Sequence, residues 1–544
     1  MRQRILKRGL SLFVCLTMLM GLAACGSEGK TQPGSVQQES NAVESEKLQN
    51  ETTATKENTT EEREYVELVV YNYISKQPGL DETIEAVNEY LKEKLNCTID
   101  FHFYQAGSEY NTTVPTIVSS GTYMDMVLTG AARVAFPQYA KMNAFAPIED
   151  YVDEYLVNTK ELVPESAWDA FTIDGHLYAV PLPRDFAKNY NYKLNQTLAD
   201  DLGVTFPEKY DTVWDLVDFF YEAKAARDAK YPEKANQAIT KWPNIKLAPF
   251  YHYEQIISNN HMIAANIPGL SGFAGMGDGE TVFCPFLTEE YRKYAKLNNQ
   301  LVKDKVIDFD WKNFDSDKVI EKAGELLGFF GVGDLYVAED IMAPYYMTTL
   351  HKSENATLET SNLQGGGLAV CAQSEHVERC LEVIDLFNSD PYLATIIRFG
   401  PEGVGWTDEN NDNIIELTDL NSDAANRYQY NWYGWNLGGL TVSKIAPDYP
   451  ENFSELLSEL NNTATAGSNV GFSMDQTPVA NEIAACASVI VEYDGVLSSG
   501  QNDNVDQLLD EFVAKLKANG IEKVVEETQR QLNEWRKGKG LKTK

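Results

Sequence analysis

The densest run of chemically useful side chains is RYQYNWYGWNLGG at 427–439, with Tyr430, Trp432, Tyr433 and Trp435 set among Asn431 and Asn436. Aromatic faces stack on C–H surfaces, and amides exchange hydrogen bonds with hydroxyls. Together they suit a neutral, hydroxyl-rich ligand. Trp is a costly choice for a solvated loop, and the nearby glycines argue against a plain core strand. The competing reading is an aromatic core patch.

Catalytic patterns are thin. The six histidines (His102, His176, His252, His261, His351 and His376) form no HExxH and no i, i+4 pair. There is no GxSxG, and Gly365–Gly367 is not followed by Lys-Ser/Thr, so no phosphate loop is indicated. With 81 acidic residues, some carboxylate pair at glycosidase spacing arises by chance, so that pattern discriminates poorly. DENNDNIIELTD (408–419) is similar to a calcium loop, with Asp408, Asn410, Asp412 and Asp419 at ligand positions. Asn413 replaces the turn glycine and Asp419 the final Glu. Flanking helices are not expected either, so a polar hairpin tip is the favoured reading and no metal or cofactor is assigned.

The elements that position these groups need more than one core, because 544 residues exceed what a single hydrophobic interior supports. Hydrophobic residues at 43% suffice to build two. A net charge of −35 repels nucleic acid over any open surface. Of seven cysteines, Cys97, Cys284, Cys371, Cys380 and Cys486 lie beyond the first 25 residues. They are odd in number and show no CxxC, so neither zinc nor a disulfide framework is suggested, and a Cys371–Cys380 bridge stays open.

Arg2, Arg4, Lys7 and Arg8 precede an apolar stretch, Leu10 to Ala24, that is short for a bilayer. It ends Leu22-Ala23-Ala24-Cys25, which resembles a bacterial lipobox. That resemblance implies a signal peptide over 1–24 and a lipid on Cys25. Residues 25–64 carry few aliphatics and predict a flexible tether.

Order is expected from Tyr65. VELVVYNYI (66–74) reads as a buried strand, Leu80, Ile84, Val87, Leu91 and Leu95 as one helical face with Asp81 as cap, and CTIDFHFY (97–104) as a second strand. This is a βαβ signal. FTIDGHLYAVPLP (171–183) predicts a hairpin turning at Asp174-Gly175, then an extended run. GGGLAVCAQS (365–374) predicts a strand feeding a helix capped by Ser374. Two amphipathic helices, broken at Gly520, end the chain.

The ordered set SSGTYMDMV (119–127), NAFAPIED (143–150), DGHLYAVP (174–181), the Gly365–Val370 strand and the lipobox resembles the extracellular solute-binding proteins of sugar-type ABC importers. PEGVGW (401–406), VIVEYDGVLSSGQND (489–503) and ETQRQLNEW (527–535) resemble a C-terminal domain of a lipoprotein subgroup. The resemblance covers 65–544. It implies an α/β, two-lobed periplasmic-binding-protein-like fold of type II, with ligand held between the lobes. The N-terminal lobe would take 65–183 and 365–400, and the C-terminal lobe 184–364 and 401–544. Crossings are expected at 181–186, near 365–370 and within about 395–440.

In such lobes ligands meet loops at the carboxyl ends of strands. Tyr73, Asp125 and Thr129 are candidates on that rule. Arg184 and Asp185 follow the first crossing, where Arg184 either holds hydroxyls or pairs with Asp185. Glu402 and Trp406 lie in a Gly/Pro-rich turn. The implied function is a lipid-anchored, monomeric receptor facing the outside of the cell membrane. It would take an oligosaccharide, without changing it, to ABC permease subunits. A cell-surface glycan hydrolase or lyase and an oligopeptide receptor are the alternatives.

Overall fold

The computed structural model describes residues 63–544 apart from 75–78, 106–107, 132–133, 242–251, 258–261, 271–276, 309–325, 333–347, 420–436 and 448. The signal peptide, Cys25, almost all of the tether and the aromatic run with Tyr430, Trp432, Tyr433 and Trp435 lie outside the described residues.

Within the body Glu62–Lys544 two sheets carry two separate cores. The first sheet begins with the predicted βαβ unit. Val66–Ile74 pairs in parallel with Cys97–Gln105 along its whole length, and with Met126–Thr129 on its other side. Gly367–Val370 then runs antiparallel between Met126–Thr129 and Val180–Pro181. Central strands here read as unbroken apolar runs because both faces are covered; Met126, Val127 and Leu128 are fully buried.

The intervening helix, Leu80–Leu95, buries Leu80, Val87 and Leu91. It starts at Leu80, so Asp81 falls in the first turn, where its negative charge complements the positive end of the helix dipole, rather than at the cap. Likewise the helix after Gly367–Val370 starts at Val377. Ser374 sits upstream and accepts from His376 N–H at 3.1 Å. The hairpin forms as expected: Thr172–Ile173 pairs with His176–Leu177, and Asp174 and Gly175 both take positive φ, as a two-residue type I′ turn requires.

The second sheet is ordered Ile307–Asp308, Thr240–Lys241, Gly328–Val332, Tyr190–Asn195, Thr348–Lys352. A smaller sheet, Tyr253–Ile257, Ile263–Asn266 and Val282–Phe283, joins the same core. The closing helices Ala480–Ser498, Val505–Ala518 and Ile521–Gly538 complete that core through Cys486, Ile490, Phe512, Leu516, Val524 and Leu532.

The described residues on either side of 420–436 depart from the expected lobe division. Leu437 enters the first core, and Phe399, Trp406, Ile415 and Ala446 form a satellite core at the end of the helix Pro391–Phe399. An indole needs more apolar cover than a loop tip provides, and that helix end supplies it.

Among the described residues three chain crossings join the lobes, and they are hydrogen-bonded to one another. Lys188 and Thr357 exchange both backbone hydrogen bonds at 2.8 Å. Thr357–Leu358 then pairs in parallel with Thr465–Ala466. The second crossing therefore precedes Gly367, and the third lies at 464–467 instead of within 395–440. Trp406, Ile415, Leu437 and Ala446 still pack on the first lobe, so the crossing falls after them. A small core of Phe186, Ala187, Leu358, Leu363, Ala167 and Ala170 backs this ribbon. Asn461, on the helix Phe453–Thr463, pins the first crossing: its Oδ1 accepts from Phe186 N–H (2.9 Å) and Ala187 N–H (3.1 Å), and its Nδ2 donates to Arg184 C=O (2.7 Å). Replacing Asn461 with Ala removes three hydrogen bonds from this crossing and takes the Asn461 acceptor from Ala187 N–H, while Phe186 N–H keeps its bond to Arg184 C=O at 3.0 Å. Urea unfolding should show a loss of about 2–3 kcal/mol, with the midpoint lowered.

Candidate functional site

The crossings bring charged side chains to the junction of the lobes. Arg184 is mostly buried, and its Nε donates to Asp185 Oδ1 at 3.2 Å. A Cβ on Gly365 would lie 2.6 Å from Arg184 Nη1, so the bare backbone at 365 makes room for the guanidinium. The end of the Met126–Thr129 strand reaches the same place: Ala131 N–H donates to Gln364 C=O at 2.9 Å. Gly130 passes so close that a Cβ there would sit 2.5 Å from that oxygen.

Farther along the ribbon, Lys188 Nζ lies 3.6 Å from Glu359 Oε1. Glu359 is buried, and its Oε2 has no hydrogen-bond partner among the described residues. A buried acceptor left this way carries a desolvation cost that no described group offsets. Arg184, Asp185, Lys188 and Glu359 thus form a polar set on the hinge, with donors and acceptors of both signs. Among the described residues no group of three or more His, Cys, Asp or Glu could hold a metal ion.

The other sequence candidates fall elsewhere. Asp125 is fully buried and serves the fold: it accepts from Val69 N–H (2.8 Å), Tyr123 O–H (2.8 Å) and Ser374 O–H (2.6 Å). Burial, followed by the bond to Asp125, pushes the Tyr123 hydroxyl up to about 12. Thr129 is also fully buried, its hydroxyl donating to Val134 C=O at 2.7 Å. Both side chains turn inward, while the backbone beyond them meets the hinge. Tyr73 is half-buried, tilted over Tyr110 at 5.6 Å. Trp406 is fully buried, with Nε1 donating to Gly400 C=O at 2.9 Å, and so cannot stack on a ligand. Glu402 is exposed beside Tyr392, on the satellite core.

The calcium-like stretch is a hairpin, Trp406–Thr407 against Glu416–Leu417. Lys444 occupies Asp408, and Asn411 and Asn413 turn the chain with positive φ. The five cysteines at 97, 284, 371, 380 and 486 are free and buried, so Cys371 and Cys380 do not pair.

Sequence reasoning missed Lys188, Glu359, Gln364 and Asn461. A lone Lys, Glu or Asn carries no local signal; only the pairing of distant crossings gives these residues their setting. The same is true of Glu254, on Tyr253–Ile257, which accepts from Asn469 N–H (3.2 Å) and Asn469 Nδ2 (2.7 Å). Burial pushes the Glu254 carboxyl up to about 8, against the pull of the Asn469 donors and of Arg536, while Glu359 adds to the rise.

Two outcomes are expected. Asp125→Ala removes the shared acceptor of the Val69 N–H and of the Tyr123 and Ser374 hydroxyls and should cost about 3–5 kcal/mol in denaturant unfolding, whereas Glu402→Gln should leave stability within ~0.5 kcal/mol. For Glu254 the folded pKa lies above the unfolded one. The stability it contributes is therefore present in acid and lost as pH rises from about 4.5 toward 8. Between those limits the protein should take up about one proton more on folding than Glu254→Gln does. Paired unfolding curves across pH measure this.

A family model described as a domain of unknown function (DUF3502) matches residues 469–537. A carbohydrate ABC transporter substrate-binding protein of Streptococcus pneumoniae serotype 4 is 22% identical over 492 residues, spanning 86% of this chain and 91% of that protein. The crystal structure of the N-glycan transport solute binding protein of Streptococcus pneumoniae is similar with a TM-score of 0.71 at 20% identity, covering 88% of this chain and all of that one. The same protein in complex with Man5GlcNAc gives 0.62 at 19% identity over the same shares. Two sheets with separate cores, joined by three crossings, agree with that likeness: the chain has the two-lobed α/β fold of the type II solute-binding proteins.

Proposed function

We propose that this protein is the substrate-binding component of an ABC importer and takes up an oligosaccharide by closing its lobes over it. The observation that carries this reading is the hinge itself. Two independently cored sheets are linked by a narrow three-strand ribbon, with Arg184, Asp185, Lys188 and Glu359 arrayed along it. Ligand contacts from both lobes favour the closed form, and the free energy of closure is limited to that difference in affinity. The relatives support the carbohydrate: one is a carbohydrate ABC transporter substrate-binding protein, and another is found with Man5GlcNAc. No step in this reading alters the ligand.

The lipid on Cys25, the tether, the position on the outer face of the cell membrane, monomeric binding and delivery to permease subunits belong to the same proposal. They rest on the amino-terminal sequence and on the resemblance.

Calorimetric titration with Man5GlcNAc and a panel of other glycans and peptides tests the ligand class. We expect saturable heat with at least one oligosaccharide, and the same glycan recovered intact by mass spectrometry. Peptide binding with no glycan binding, or new reducing ends, would sink the reading. Arg184→Ala and Glu359→Gln should each weaken binding about 10-fold or more, the cost of about one charged hydrogen bond.

A further inference from the structure

The segment 469–537 matches a model described only as a domain of unknown function, and its two ends meet. Asn469 Oδ1 accepts from Arg536 Nη1 at 2.6 Å. Asn469 Nδ2 donates to Glu254 Oε2 at 2.7 Å and to Gly279 C=O at 2.9 Å, and its backbone N–H donates to Glu254 Oε1 at 3.2 Å. Asn469, Glu254 and Arg536 are all buried. Arg536 also donates through Nε to Lys542 C=O at 2.5 Å and through Nη1 to Ser468 Oγ at 3.3 Å.

This polar chain links three elements that lie far apart in sequence: the Tyr253–Ile257 strand, the third crossing, and the end of the helix Ile521–Gly538. Its contact with the crossing is direct. A Cβ at Gly467 would fall 1.4 Å from Glu254 Oε1, so the carboxylate rests against bare backbone. The second crossing is held too, because Gly471 N–H donates to Thr360 Oγ1 at 3.3 Å.

On its other side the third crossing leaves the helix Phe453–Thr463, fixed by Asn461 to the first crossing. The chain is thus clamped at 461 and at 469. Of the residues between them, 462 and 463 belong to the helix and Ser468 is bonded to Arg536, which leaves Ala464 to Gly467. There Thr465 N–H donates to Ala356 C=O at 2.9 Å, and Gly467 N–H to Leu358 C=O at 3.0 Å.

We infer that segment 469–537 is a hinge brace: Asn469 and Arg536, acting through Glu254, fix the third crossing to the second lobe and confine the pivot of lobe movement to residues 464–467. Asn469 and Arg536 are positioning residues. The consequence for ligand capture rests on the binding reading above, but the brace itself does not.

Amide hydrogen exchange on the full chain without ligand tests it, so a failed sugar titration leaves the result standing. In Asn469→Ala and in Arg536→Met, the amides of Thr465 and Gly467 should exchange at least about 10-fold faster. Those of Leu68 and Val70 in the first sheet should keep their rates. The double variant should match Asn469→Ala alone, because the two residues act through one chain of bonds. Equal acceleration in both lobes, unchanged rates at 465 and 467, or additive effects would overturn the brace. Arg536→Met keeps the apolar stem packed, so it decides the matter if Asn469→Ala does not fold.

Discussion

The constraint on which the rest depends is that the chain passes between its two cores three times, and the three passages share backbone hydrogen bonds. Lys188 with Thr357, and Thr357–Leu358 with Thr465–Ala466, turn separate linkers into one narrow ribbon. Single linkers would let the lobes tumble, and a broad apolar interface would lock them. A ribbon a few residues wide permits one kind of bend, as hinge closure needs. Its backbone polarity is satisfied internally, so bending need not expose unpaired N–H groups.

From that ribbon the polar set acquires its meaning. Arg184 and Asp185 are ordinary surface residue types. They are held on the hinge because Gly365 leaves space for the guanidinium and Asn461 holds the backbone beneath it. Glu359 is costly to bury with an oxygen that has no partner among the described residues, and in the proposed reading a ligand donor reaching it on closure offsets that cost. The large negative charge of the chain is compatible with this, since a neutral sugar is indifferent to it.

Much of the fold was legible in the sequence. The alternation and apolar runs of 66–74 and 97–104, and the Asp174-Gly175 turn, are local signals, and the structure places those elements accordingly. The closing helices were legible from their 3.6-residue periodicity and from Gly520. The site was less so. Asp125, Thr129 and Trp406 have the right chemistry for a ligand, but each finds internal partners that sequence cannot display. Lys188, Glu359 and Asn461 owe their roles to contacts spanning more than a hundred residues. The third crossing was misplaced for the same reason: nothing local in 401–446 says that Trp406 and Leu437 return to the first lobe.

The central claim is that the two lobes close around an oligosaccharide by bending at the crossings. Small-angle X-ray scattering of the protein, alone and with the glycan that calorimetry selects, tests it most directly. The account predicts a smaller radius of gyration at saturation, with the amount of change following fractional occupancy. An identical scattering curve with the site filled would contradict it.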